Sequence, residues 1–529
     1  MIVLAYAPWG AEGIIIRVEA DIRRGIPGID ISGLADGAVR EARERVRASF
    51  RNSGFTFPQD RILINLAPAD FRKEGASLDL PIAVSVMAAA GMVAVPDNLM
   101  VSGELELSGR LRPVRGVLAA VAAGCSAGIK EFIVPLENAD EAAVLATPER
   151  GRRFFAAATL AEVVHALTVR AETGVLPENS RVWASAADRE IVCPSDSGDF
   201  AEVQGQSRYK RALEIAAAGG HNLLVFGPPG SGKTMLARRF PSILPPLHPD
   251  EAVEVTRLHS LAGLLKTGAL ISHPPFRSPH HSASTEGILG GGRIVRPGEI
   301  TLAHFGALFL DEAPEFRAPV LQSLREPLED RVVTIVRAEG PMRLPADFQL
   351  ILAANSCPCG RLGWADRAEG SSRDSGCLCS PDEIRRYWRK LGSAMLDRIE
   401  LRVPSSTPGV LVPGGGVGEE RSYNIAKRVL AAVNIQRERF KGTQVRQNSR
   451  MLPVQIDRFC SLSQKASQAL TIAATKLALS GRACHGILKV GRTIADLEGK
   501  DSIEPAHILE AVQHRRFGDD PYDIIAAGV

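Results

Sequence analysis

The chain has 529 residues, more than one hydrophobic core of roughly 250–300 residues accommodates, so several domains are expected. Hydrophobic residues make up 45% and charged residues 23%, a balance that excludes both a disordered and a fibrous class. A net charge of +3 lies too near neutrality to argue for or against a nucleic-acid partner.

The apolar start, Met1 to Ala7, ends at Pro8-Trp9-Gly10, has no basic residues before it, and is followed by the alternating run Ile14–Ala20. That pattern predicts a first strand rather than a signal peptide. No run of about 18 uncharged apolar residues occurs, so no membrane span and a cytoplasmic protein are expected. Residues 1–168 alternate β-branched runs such as Arg61–Leu66 with Ala-rich helical stretches such as Ala83–Ala90, the pattern of an α/β domain. Within it, Lys73–Pro81 and Ser102–Gly116 resemble the proteolytic domain of Lon, with Ser77 at the nucleophile position. A Ser–Lys dyad needs its lysine. Leu118 stands where the resemblance implies that lysine, and none lies between Lys73 and Lys130, so a protease fold without protease chemistry is expected. Residues 169–198, rich in Glu, Ser, Asn, Asp and Pro, read as a linker.

Residues 199–403 read as a second α/β domain. The apolar strand Leu223–Phe226 leads into Gly227-Pro228-Pro229-Gly230-Ser231-Gly232-Lys233-Thr234, and the helical pattern Met235–Phe240 follows. Strand, glycine-rich loop and helix in that order make a phosphate-binding loop. The glycines let backbone N–H groups curl round phosphate oxygens at a helix N-terminus. Lys233 is expected to reach the β- and γ-phosphates of ATP, and the Thr234 hydroxyl to ligate Mg²⁺. A second strand, Ala307–Leu310, ends in Asp311-Glu312 at the edge where parallel sheets bind ligands. Asp311 is expected to hold Mg²⁺ through water and Glu312 to act as general base towards the attacking water. An N-cap role for the pair, at a helix starting Ala313-Pro314, is compatible with this. A third strand, Phe348–Ala354, delivers Asn355 to the same edge, where an uncharged hydrogen-bonding side chain fits the first sensor of AAA+ proteins.

Cys357-Pro-Cys359 and Cys377-Leu-Cys379 are two C-x-C pairs separated by 17 residues, with Gly360, Gly363, Gly370 and Gly376 between them. Four thiolates can converge on a structural Zn²⁺; the alternative is reduced, unliganded thiols. After Pro404-Ser-Ser-Thr-Pro and the glycine-rich Pro413–Gly416, residues from about 420 are helical in pattern, as in Asn424–Val433, so 404–529 are expected to form a linker and a helical lid.

Asp199–Gln206, Arg211–Leu224 and Pro297–Glu312 resemble the magnesium-chelatase-like AAA+ proteins of the YifB/ComM family, and the likeness spans essentially the whole chain. It implies a hexameric, homo-oligomeric ATPase. In the ComM branch this is a DNA helicase that promotes branch migration in natural transformation and recombination. It further implies that Arg398, in Met395–Glu400, is the arginine finger that completes a neighbouring subunit's site. The second sensor should lie in the lid stretch Ser480–Leu497, at Arg482, with Arg492 as runner-up. Gly486 and Gly491 depart from the arginine and alanine of the family pattern, and at roughly 1 kcal/mol per helical glycine they predict a looser lid.

Two segments are candidates to project into a ring pore: residues 276–296 and the hairpin-like Val332–Arg343. Arg277, Arg293, Arg296, Arg337 and Arg343 are candidate DNA phosphate contacts, each weighed against a solvated surface charge. His280-His281 has no evident third metal ligand and reads as a loop feature. A chelatase subunit driving metal insertion is the alternative function; an ATP-dependent protease is opposed by the missing lysine.

Overall fold

The computed structural model describes residues 2–73, 75–146, 151–179, 198–265, 270–292, 295–337, 340–362, 377–405 and 419–515. Arg293, most of the linker, Gly363, Gly370, Gly376 and Pro413–Gly416 lie outside the described residues. Among the described residues no helix is long and apolar enough to cross a membrane.

The N-terminal domain contains β1 (Ile2–Ala7), β2 (Ile14–Arg23), β3 (Gly28–Ser32), α1 (Gly37–Asn52), β4 (Arg61–Ala67), α2 (Asp79–Ala89), β5 (Leu99–Val101), the short pair β6 (Glu104–Leu105) and β7 (Leu111–Arg112), α3 (Val117–Ser126), β8 (Glu131–Pro135), α4 (Ala139–Ala143), β9 (Arg153–Ala157) and α5 (Leu160–Thr173). Seven strands form one mixed sheet in the order β3-β4-β2-β1-β5-β8-β9. Helix α1 starts where the Asp36 carboxylate accepts the Val39 N–H at 2.7 Å, and it buries Val39, Ala42, Val46 and Phe50 at helical spacing. Helix α2 is apolar all round and buried, so its one acid, Asp79, needs a partner; Arg45 grips both its oxygens at 2.6 and 2.9 Å.

Helix α5 runs past residue 168 to Thr173 and closes on left-handed Gly174. Leu176 is buried in the same core, and Asn179 bonds the Ala156 N–H and the Phe154 carbonyl. The first domain therefore extends beyond the boundary read from composition, because Ala171-Glu-Thr173 are the exposed end of a helix. Ser77 lies in a short 3-10 turn and Leu118 is buried. Lys73, the nearest lysine in sequence to Ser77, is buried with its ammonium on the Pro68 and Phe71 carbonyls.

The second domain runs through α6 (Ser207–Gly219), β10 (Leu223–Gly227), α7 (Lys233–Ala237), α8 (Pro249–Ala262), β11 (Phe276–Arg277), α9 (Thr285–Leu289), β12 (Gly290–Gly291), β13 (Arg296–Pro297), α10 (Glu299–Leu302), β14 (Ala307–Leu310), α11 (Ala318–Ser323), α12 (Arg325–Asp330), β15 (Val332–Arg337), β16 (Gly340–Pro345), β17 (Gln349–Asn355), α13 (Pro381–Arg389), α14 (Ser393–Leu396) and β18 (Leu401–Pro404). Its five-stranded sheet, ordered β11-β14-β17-β10-β18, is parallel throughout. Strand side chains alternate between faces. Leu223, Val225, Leu401 and Val403 join one core; Leu224, Phe226, Leu308 and Leu350 join the other.

The lid consists of α15 (Ser422–Arg439), α16 (Pro453–Phe459), α17 (Gln464–Lys476), α18 (Gly481–Leu497) and α19 (Pro505–Arg515). Ile425, Val429, Ile487, Val490 and Ile494 share the core of the first sheet face, so this lid is packed onto the ATPase domain. Helix α18 is unbroken across Gly486 and Gly491. A Cβ on Gly491 would lie 3.4 Å from Ile508 and 3.5 Å from Ile503, so this glycine sits where α19 packs close.

The lid meets the sheet at the edge where strands begin. His221 Nε2, just before β10, lies 2.8 Å from Thr493 Oγ1, and Arg450 Nη2 donates to the carbonyl of Phe348, just before β17, at 2.9 Å. The two N-terminal domains touch through α8. The Ser260 hydroxyl donates to Glu141 at 2.5 Å and accepts the Gly116 N–H at 3.1 Å, while Glu141 also accepts the Leu118 N–H.

Candidate ATPase site

The loop between β10 and α7 has the conformation its glycines permit. Gly230 and Gly232 have φ of 73° and 81°, in the region open to glycine. At Gly227 a Cβ would lie 2.2 Å from the Ser405 hydroxyl, so close approach of β18 demands the absence of a side chain. Ser405 donates its N–H to the Phe226 carbonyl at 2.7 Å, and its hydroxyl lies 2.7 Å from Ser231 Oγ. Gln206 Nε2 donates to the Ser231 carbonyl at 2.9 Å, and the Tyr209 hydroxyl to the Lys233 carbonyl at 3.3 Å.

Lys233 is buried, with Nζ 2.9 Å from the Gly227 carbonyl and 2.7 Å from that of Pro228. Burial lowers its pKa to about 8 against the opposing pull of Asp311 and Glu312. The Thr234 hydroxyl donates to Asp311 Oδ2 at 2.8 Å. Two oxygens on adjacent elements thus converge beside the loop, the hard-donor pairing that suits Mg²⁺.

Glu312 follows β14 with φ of 50°, a left-handed conformation, and its half-exposed carboxylate lies 4.0 Å from His281 Nδ1. Neither carboxylate caps a regular helix: Ala313–Glu315 is one 3-10 turn without a side-chain cap bond, and Asp311 Oδ1 accepts the Glu312 N–H. Asn355 is the last residue of β17 and pairs in register with Gly227, so it stands at the mouth of the loop.

The cysteines follow immediately. Cys357 Sγ lies 3.3 Å from Cys359 Sγ and 3.5 Å from Cys377 Sγ, and all four thiols fall within 4.8 Å of one another. Four sulfurs each about 2.3 Å from one Zn²⁺ would stand about 3.8 Å apart, so the cluster fits a tetrahedral thiolate site. Burial pushes Cys357 up to about 11; although desolvation opposes it, Cys359 falls to about 6 through the Arg361 backbone N–H and the neighbouring thiols. The cluster borders the nucleotide loop: Trp388 Nε1 donates to the Ser356 carbonyl at 3.1 Å, and a Cβ on Gly360 would come within 3.0 Å of Pro229.

Arg398 and Arg482 are not among these residues. The Arg398 carbonyl accepts from Asn222, the residue before β10, which places it at the strand-beginning edge, opposite the loop. Its guanidinium pairs with Glu329 at 2.7 Å, and Arg482 bonds the same carboxylate. The length of β10 puts the two edges on the order of 10 Å or more apart. Arg492 is a lid fastener: buried, it bonds Asp496 and the Lys500 and Asp501 carbonyls, so it is removed as a sensor candidate.

Of the candidate DNA contacts, Arg277 is committed to Glu299 through two bonds of 2.6 and 2.8 Å and offers no free charge. Arg296 on β13 and Arg343 on β16 are exposed, and Arg337 is partly so. Ser405, Gln206 and Tyr209, which contact the loop, and Glu329, which joins the two arginines at the opposite edge, were absent from the sequence-derived site; each makes its contact with a residue distant in sequence.

Residues 199–408 match the family model described as magnesium chelatase, subunit ChlI; residues 18–138 match subunit ChlI of Mg-chelatase, and 419–515 its C-terminal part. The chain is 39% identical to YifB of Salmonella typhimurium over 518 residues, covering 97% of this chain and 96% of that protein. It is 39% identical to the competence protein ComM of Haemophilus influenzae over 519 residues, 97% of each chain. The N-terminal part is 25% identical over 142 residues to the Lon protease of Desulfovibrio desulfuricans, 26% of this chain and 16% of that protein.

Proposed function

The chain belongs to the YifB/ComM family of magnesium-chelatase-like AAA+ ATPases, and we propose that it is a cytoplasmic, hexameric DNA motor that moves branched junctions in homologous recombination or natural transformation. The observation that carries this reading is the β15–β16 hairpin. It lies between α12 and β17, and only three residues separate it from the strand that ends at Asn355. A displacement of the hairpin by bound DNA is therefore in mechanical series with the nucleotide site. Val336, 77% exposed, and Arg343, which pairs with Thr334, put apolar and cationic surface on one face of the hairpin, suited to bases and phosphates without sequence readout.

In this reading Lys233 leaves the Gly227 and Pro228 carbonyls for the β- and γ-phosphate oxygens of ATP. The loop's N–H groups and Ser231 cradle the phosphates, with Pro228 and Pro229 stiffening the turn. Thr234 and Asp311 would hold Mg²⁺, which would supply Lewis-acid charge to the phosphates. Glu312 takes the proton of the attacking water, and Asn355 orients that water or the γ-phosphate. Arg398 and Arg482, set at the opposite edge, act on the site of the adjoining subunit. Cys357, Cys359, Cys377 and Cys379 hold a structural Zn²⁺ that fixes the loop beside Pro229.

The test is the ATPase rate with single-stranded, double-stranded and four-way-junction DNA across a salt series. Strong stimulation that fades with salt, together with junction unwinding, supports the motor. The matches to magnesium chelatase subunit ChlI favour a second reading, an ATPase driving metal insertion or protein remodelling; a robust ATPase indifferent to DNA would select it.

A further inference from the structure

Arg398 and Arg482 come from different parts of the molecule, yet they meet. Arg398 follows α14 in the ATPase core and is 15% exposed, with Nη1 on the Ala394 carbonyl and Nη2 2.7 Å from Glu329 Oε1. Arg482 lies in the first turn of lid helix α18 and is 49% exposed; its Nη2 bonds that same Oε1. Glu329, 41% exposed, sits in the last turn of α12. Two guanidinium groups on one carboxylate oxygen leave a net positive charge, partly exposed, with donors to spare. The other flank is fixed as well, since Arg515 of α19 bonds Asp397 at 2.9 Å and the Ile399 carbonyl at 2.7 Å.

We propose that Glu329 is a positioning residue that fastens Arg398 and Arg482 into one two-armed receptor for the γ-phosphate of ATP on a neighbouring subunit. The inference rests on the trans-acting role proposed above for both arginines and deepens it. Two guanidiniums this close repel, and a carboxylate between them offsets the repulsion while leaving outward N–H groups for an anion. The two arginines also hold Glu329 well below the usual carboxylate range, so the bridge stays ionised at neutral pH. Because Arg482 rides on the lid and Arg398 on the core, Glu329 makes the lid's position a condition of the pair's alignment. The same α12 leads through Arg331 into the β15–β16 hairpin, so hairpin and arginine pair move on one element.

The experiment compares full-length wild type, E329Q, R398A and R482A for kcat and KM of ATP hydrolysis over a protein concentration series, with thermal midpoints as a fold check. Glutamine preserves shape at a half-exposed position. E329Q is expected to keep its thermal midpoint and its KM, because ATP binds at the opposite edge, while kcat falls roughly 10- to 100-fold. The double variant E329Q/R482A is expected to lose little more than R482A alone, since the bridge has no second arm to align. Wild-type kcat in E329Q, or additive losses in the double variant, while R398A and R482A each keep a reduced but measurable kcat, would overturn the bridge and leave the trans reading standing. Full kcat in R398A and R482A would remove that reading and the bridge with it.

Discussion

Glu312 holds φ of 50°, a conformation that costs a non-glycine residue about 1–2 kcal/mol. Strain of this kind persists where the surroundings over-determine it, and here β14 ends at Asp311, whose two oxygens are already engaged by Thr234 and by the Glu312 N–H. Among the described residues the Glu312 carboxylate has no hydrogen-bond partner, its nearest basic neighbour being His281 at 4.0 Å, which leaves it available as a proton acceptor for water. Glu312→Gln should bind ATP normally and lower kcat by roughly 100-fold or more, read in steady-state ATPase and nucleotide-binding assays. Hydrolysis at the wild-type rate would remove Glu312 as the base. Lys233 gives a second residue-level expectation. Burial has brought its pKa to about 8, and phosphate contact favours the ammonium. Above pH 8, binding ATP then requires proton uptake, so the Kd should rise with pH, approaching tenfold per unit well above 8. Titrations between about pH 7 and 9.5 test this, and Lys233→Arg, whose charge is permanent, should flatten the slope.

At the scale of elements, the legible parts were those whose grammar is local. Strand, glycine loop and helix announce the phosphate loop within residues 223–240, and an apolar strand ending in two acids announces the edge that Asp311 and Glu312 occupy. What escaped depends on pairing between distant segments. Ser405 is a bland residue after a proline, and it matters only because β18 lies against Gly227. Arg277 looked available because Glu299, its partner, is brought to it by tertiary packing. The linker boundary failed because the exposed last turn of α5 has a loop's composition. The cysteine loop was legible as chemistry and not as place: it abuts Pro229 through Gly360 and hangs from Trp388. Metal analysis should therefore return about one zinc per chain. Cys377→Ser should lose that metal and raise the KM for ATP more than it lowers kcat, because the loop supports the phosphate cradle and does not touch the attacking water. Wild type that carries no metal as purified, and whose KM Cys377→Ser leaves unchanged, would refute the assignment.

The residues proposed for hydrolysis are divided between the two edges of one sheet. The N-terminal domain is fastened to α8 through Glu141 and Ser260, and the lid shares a core with the sheet, so neither is free to swing the arginines from one sheet edge to the other. Lys233, Asp311, Glu312 and Asn355 lie where strands end; Arg398 and Arg482 lie where strands begin. If the arginines contribute to hydrolysis at all, they must do so across a head-to-tail contact between copies, the arrangement that generates rings. Specific activity should then climb with protein concentration. Two inactive variants supply the sharper measurement. Lys233→Ala removes the phosphate loop's charge and keeps the arginines; Arg398→Ala does the reverse. An interface that joins the loop of an R398A subunit to the arginines of a K233A subunit is intact. Equal mixing should therefore restore about a quarter of wild-type activity if subunits assemble at random. Activity that stays at the level of the separate variants, in mixtures that demonstrably co-assemble, would mean that each chain completes its own site and that the arginines at the far edge serve only to hold the lid.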